Sequence, residues 1–174
     1  MEKSYKEYLQ HITTFIFDVD GVLTDGTVFV NTDGELLRTM NIKDGYALKT
    51  AVQQGFNVCI ISGGKNEGVR QRLKNLGIPD IYLGAHHKVE QLNEYFAGKN
   101  IKAENVLYMG DDIPDMPVMQ IIGLPTCPQD AVAEIKEISK YISYKKGGKG
   151  CVRDVIEQVL KVQGKWITSF DAEA

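Results

Sequence analysis

Four short apolar runs, each ending in small polar residues and separated by helical stretches, constrain this chain more than any other feature. Phe15-Ile16-Phe17 ends in Asp18, and Asn57-Val58-Cys59-Ile60-Ile61 ends in Ser62-Gly63-Gly64. Ile81-Tyr82-Leu83 ends in Gly84, and Asn105-Val106-Leu107-Tyr108-Met109 ends in Gly110-Asp111-Asp112. Such runs are continuous rather than alternating, as in strands covered on both faces. Between them, Asp44 is expected to cap a helix to Gln54, closed by Gly55. Asn66 is expected to cap a second to Leu76, and a third runs from Lys88 to Ala97. The alternation predicts an α/β, doubly wound, mainly parallel sheet of Rossmann-like type. With 174 residues the chain predicts a single domain over 1–162, and 163–174, which lacks periodicity, is expected to be a flexible tail.

One segment breaks the rhythm. Thr27–Val30 and Glu35–Met40 flank Asn31-Thr32-Asp33-Gly34, whose Asp-Gly pair signals a hairpin over about 27–42, inserted after the first strand. A lone two-stranded hairpin is marginal in water, so its apolar residues need a partner surface, on this domain or on another subunit.

Charge and cysteine usage remove other function classes. Twenty basic against 23 acidic residues give a net charge of −3, which offers no electrostatic case for binding nucleic acid or an anionic membrane. No apolar run approaches the ~18 residues of a membrane span, and the polar stretch Met1–His11 is no signal peptide. Cys59, Cys127 and Cys151 lack metal-like spacing and are too few for a disulfide framework, which suits a cytoplasmic protein.

Ligands of an open parallel sheet bind beyond the carboxyl ends of its strands. Three of the runs end there in chemically capable residues, so distant clusters converge. Asp18-Val19-Asp20-Gly21 places two carboxylates at a strand end before a glycine turn. With Asp111 they form a hard-oxygen set that favours Mg²⁺. Ser62-Gly63-Gly64 offers a hydroxyl and backbone N–H groups to phosphate oxygens. Lys88 at a helix start calls for an anionic partner, because a cation is disfavoured there. Pro114 suits a first helical turn, beside Asp112 and Asp115. Taken singly these are a turn, a helix cap, a surface lysine and a capping cluster. His86 and His87 read as loop histidines.

The constellation resembles the haloacid dehalogenase superfamily of phosphotransferases, in order: Asp18-Val19-Asp20-Gly21, Ser62, Lys88, then Asp111-Asp112 with Asp115. The gaps of 44, 26 and 23 residues leave no room for an inserted cap domain, so the resemblance is to capless members. Asp18–Gly26, the hairpin, Asn41-Ile42-Lys43-Asp44-Gly45 and Gly147–Arg153 are similar to the family of 3-deoxy-D-manno-octulosonate 8-phosphate phosphatases, over about residues 8–162. In one respect the chain departs: many members have Arg where Gly64 stands, and some phosphatases of nine-carbon sugar acids have an acidic residue there, so Gly64 fits neither pattern fully.

The resemblance implies that Asp18 is the nucleophile and Asp20 the acid and base. It implies Mg²⁺ held by Asp18, the Asp20 carbonyl and Asp111, with the phosphoryl oxygens held by Ser62, Gly63 and Lys88. Asp112 would orient water and Asp115 would orient Lys88. Arg72 and Lys149 would contact the sugar acid, and hairpins would pack a homotetramer in which a neighbour completes the site. The implied pathway is synthesis of the inner-core sugar of lipopolysaccharide. The alternatives are a nine-carbon sugar acid phosphate, a broad range of small metabolites, or a non-catalytic sensing or receiver-like module.

Overall fold

The computed structural model describes residues 3–167. Strands β1 (Thr14–Phe17), β4 (Asn57–Ser62), β5 (Asp80–Leu83), β6 (Val106–Met109), β7 (Leu124–Cys127) and β8 (Tyr141–Ile142) form one sheet in the order β5-β4-β1-β6-β7-β8. Every pairing in it is parallel. β7 and β8 go beyond the four expected strands. Pro125 removes a ladder donor from β7, and β8 has only two residues, so neither carries a strand pattern.

Alternate residues of each central strand feed two cores. Phe15, Phe17, Val58, Ile60, Leu107 and Met109 pack beneath α1 (Tyr5–Leu9), α2 (Ile42–Gln53), α3 (Glu67–Asn75) and α7 (Cys151–Val162). Ile16, Cys59, Ile61, Val106 and Tyr108 face α4 (Lys88–Lys99), α5 (Met116–Met119) and α6 (Ala133–Ile138). Covering on both faces explains the continuous apolar runs. The three cysteines are free and buried, and no cap domain is present among the described residues.

Three boundaries differ from expectation. Helix α2 starts earlier, because Asn41 rather than Asp44 is its cap: the Asn41 side chain accepts from the N–H groups of Lys43 and Asp44. Asp44 is buried instead and accepts from the N–H of Arg153 at 2.8 Å, tying α2 to α7. The hairpin ladder is short, β2 (Phe29–Val30) on β3 (Leu36–Leu37), because the Asn31 side chain turns the chain by accepting from Asp33 and Glu35. Its apolar residues are exposed, Phe29 at 69%. The stretch expected as a tail divides. Gln163 donates to the carbonyls of Leu9 and Ile12 at 2.9 and 2.8 Å, and Trp166 meets the Tyr46 ring edge-on, while 168–174 lie outside the described residues.

Candidate active site

From β1 the chain goes to β4 and β5 on one side, then returns to β6 on the other. Such a reversal opens a crevice between strand ends. Asp18 prolongs β1, its N–H donating to the Met109 carbonyl at 3.1 Å; Ser62 ends β4, and Asp111 lies just past β6. The three clusters line one open cleft of about 430 Å³, with Asp18, Asp20, Ser62, Gly63, Lys88 and Asp111 in its wall.

Glycines permit the close approach. Gly21 has φ 82°, and a Cβ there would stand 1.8 Å from Asp111 Oδ2. The loop at 147–150 presses on the same turn: a Cβ on Gly147 would lie 2.0 Å from the Gly21 carbonyl, and the Gly148 N–H donates to Val22.

Lys88, the first residue of α4, is buried, with Nζ 2.9 Å from Asp18 Oδ2 and 2.7 Å from Asp115 Oδ1. Burial pulls its pKa down, but these two carboxylates outweigh that and hold it above the ordinary lysine value. Asp115 is saturated: Oδ1 also accepts from the Tyr108 hydroxyl, and Oδ2 accepts from the N–H groups of Asp111 and Asp112. Asp112 itself is exposed and caps the turn at Ile113.

Ligand oxygens of Asp18, Asp111 and Asp115 lie within 4.8 Å of one another. Burial, and then the Asp115 charge, push Asp18 up to about 6 against the opposing pull of Lys88. Burial with Asp18, Asp115 and Asp112 pushes Asp111 up to about 8. Carboxylates so crowded and so desolvated are poised for a cation. Asp115 has no lone pair to spare, so Asp18 and Asp111 are the pair available to it. This all-oxygen donor set fits Mg²⁺.

Arg72 and Lys149 do not reach the cleft within one chain. The Arg72 guanidinium lies against Gly45 of α2, where a Cβ would stand 2.6 Å from Nη2, and Lys149 lines a separate cavity with Lys145 and Arg153. Two residues join the site that the motifs do not flag. Arg38, after the hairpin, grips both oxygens of Asp20 at 2.6 and 2.9 Å, and Tyr108 holds Asp115 from inside β6. A phenol inside an apolar run is invisible to pattern, and Arg38 carries only the weak signal of a charge following two leucines.

Residues 77–155 match the family model of haloacid dehalogenase-like hydrolases. The 3-deoxy-D-manno-octulosonate 8-phosphate phosphatase of Salmonella typhi is 37% identical over 156 residues, 90% of this chain and 83% of that protein. The crystal structure of the phosphatase of that name from Yersinia pestis superimposes with a TM-score of 0.91 at 33% identity, covering 95% of this chain and 89% of that one. A structure of the Moraxella catarrhalis phosphatase, in complex with a magnesium ion, a phosphate ion and a KDO molecule, gives 0.88 at 32% identity, covering 92% of each chain.

Proposed function

The chain belongs to the haloacid dehalogenase-like hydrolases, in the family of 3-deoxy-D-manno-octulosonate 8-phosphate phosphatases, and from that premise we propose that it is a Mg²⁺-dependent phosphatase hydrolysing that sugar phosphate to the free sugar acid and phosphate. The observation that carries this reading is the buried Lys88 bridging Asp18 and Asp115 beside Asp111. A nucleophile, a phosphate-binding cation and a divalent-ion seat share one cleft.

An Asp18 carboxylate oxygen attacks phosphorus, the bond to the sugar oxygen breaks, and Asp20 gives its proton to that oxygen. Water then attacks the aspartyl-phosphate, the P–O bond to Asp18 breaks, and Asp20 takes the water proton. Ser62, the N–H of Gly63 and Lys88 hold the phosphoryl oxygens, and Asp115 keeps Lys88 in place. Asp18, Asp111 and the Asp20 carbonyl would hold Mg²⁺, which when bound would supply charge neutralisation for the phosphoryl group. Asp112 shapes the turn that presents Asp111.

The exposed hairpin supports a homo-oligomer, a tetramer by the family resemblance, and a neighbouring copy is the place from which Arg72 and Lys149 would reach the sugar acid. The enzyme is proposed to work in the cytoplasm as one domain over 1–162; no helix among the described residues is long and apolar enough to cross a membrane.

The test is Mg²⁺-dependent phosphate release from a panel of eight- and nine-carbon sugar acid phosphates and simple phosphomonoesters, with Asp18→Asn as control. We expect kcat/KM highest for the eight-carbon substrate and turnover abolished in the variant. Equal kcat/KM across the panel, or a variant within tenfold of wild type, refutes the reading.

A further inference from the structure

We propose that Arg38 is the positioning residue for Asp20, and that it serves chiefly the hydrolysis of the phosphoenzyme; this rests on the function just proposed. Among the described residues Arg38 is the only hydrogen-bond donor to the Asp20 carboxylate. Nε meets Oδ1 at 2.6 Å, Nη2 meets Oδ2 at 2.9 Å, and Nη1 donates to the Leu36 carbonyl at 2.8 Å. The Arg38 side chain is only 8% exposed, whereas that of Asp20 is 39% exposed at the cleft. The Leu36 carbonyl also accepts from Asn66, the cap of α3, so the foot of the hairpin is fastened to the loop that carries Ser62 and Gly64. Gly64 leaves the room required, since a Cβ there would stand 3.3 Å from both Arg38 Nη2 and Asp20 Oδ2. The fork therefore sets the plane of a carboxylate that would otherwise swing into open solvent.

The two half-reactions make unequal use of this fork. In hydrolysis, Asp20 works as a carboxylate. Each oxygen gives one lone pair to Arg38 and keeps another for the proton of the attacking water. In the preceding transfer, Asp20 carries that proton on one oxygen, so the carboxyl is neutral and its arginine contacts lose their charge assistance. Removing the guanidinium should slow hydrolysis about 10²-fold, as misplacement of a general base does, and the transfer step much less.

The experiment is rapid-quench turnover of p-nitrophenyl phosphate, whose leaving group needs little protonation, by wild type, Arg38→Ala, Arg38→Lys and Asp20→Asn in Mg²⁺. Arg38→Ala should release about one equivalent of nitrophenol in a burst, then turn over slowly with phosphate on Asp18. Arg38→Lys, which keeps the charge without the fork, should fall between it and wild type. Added guanidinium should restore steady turnover to Arg38→Ala and not to Asp20→Asn. If Asp20→Asn traps phosphate on Asp18 while Arg38→Ala loses activity without a burst and without guanidinium rescue, the role given to Arg38 is wrong. If neither wild type nor Asp20→Asn ever carries phosphate, the covalent scheme itself falls.

Discussion

Replacing Asp111 by Asn should make the metal-free protein more stable at pH 7 and nearly blind to Mg²⁺. The Asp111 carboxyl is pushed from 3.8 up to about 8 by burial and by Asp18, Asp115 and Asp112. An acid raised on folding binds its proton more tightly in the native state. Stability therefore falls as pH rises from about 4 toward 8. At pH 7, about three pH units above the unfolded value, linkage gives about 4 kcal/mol at ~1.4 kcal/mol per unit. Solvent in the open cleft screens this by about half, leaving ~2 kcal/mol, or ~4–8 °C in Tm for a chain of this size. Thermal unfolding in chelator should therefore show Asp111→Asn melting above wild type at pH 7, with the gap closing toward pH 4. Saturating Mg²⁺ should reverse the order, because only the wild type keeps both side-chain carboxylates proposed to receive the ion. A chelated variant melting at or below wild type at pH 7, or an equal gain from Mg²⁺ in both proteins, would refute the reasoning.

Two further outcomes follow from buried charge and exposed apolar surface. Asp44 is raised to about 6 chiefly by burial, and one of its oxygens is buried without a partner, so its cost to stability grows between pH 4 and 6; Asp44→Asn should gain about 1–2 kcal/mol in urea unfolding at pH 7 and nothing near pH 4, and an equal gain at both would contradict this. In the proposed homo-oligomer, Phe29→Asp on the exposed hairpin face should lower the mass read by light scattering toward that of a monomer, and an unchanged mass would contradict a hairpin interface.

The parallel sheet was legible because strands buried on both faces must be apolar throughout, and Phe15–Phe17 and Val58–Ile61 are. The convergence of Asp18, Ser62 and Asp111 was legible for a topological reason: residues following parallel strands share one edge. What stayed hidden depends on contacts across the chain. Asn41 and Asp44 are both good caps three residues apart, and only the packing of α7 against α2 draws Asp44 inside. Arg38 lies 18 residues from Asp20, and nothing in the local pattern says that a two-residue ladder folds back over the first loop. The glycines at 147 and 148 look like a basic flexible loop until the Gly21 carbonyl is found where a Cβ would be.

Charge balance connects these observations. Asp18, Asp20, Asp111 and Asp115 share their surroundings with two cations, Lys88 and Arg38, each occupied by carboxylates. Leaving aside Asp112, which is exposed to solvent, four negative charges against two positive leave an excess of two, the charge of one divalent ion. Without an ion the protein reduces the excess by retaining a proton on Asp111, raised to about 8, and as the pH falls toward 6 on Asp18 as well, raised to about 6. They are also the two side chains left over once Arg38 orients Asp20 away from them and Lys88, Tyr108 and two backbone N–H groups hold Asp115. The groups that secure the other two carboxylates would thus leave Asp18 and Asp111 to receive the cation. It follows that loosening Asp115 from Lys88 and Tyr108 would change metal preference as well as phosphate binding, because a third carboxylate would become free to ligate.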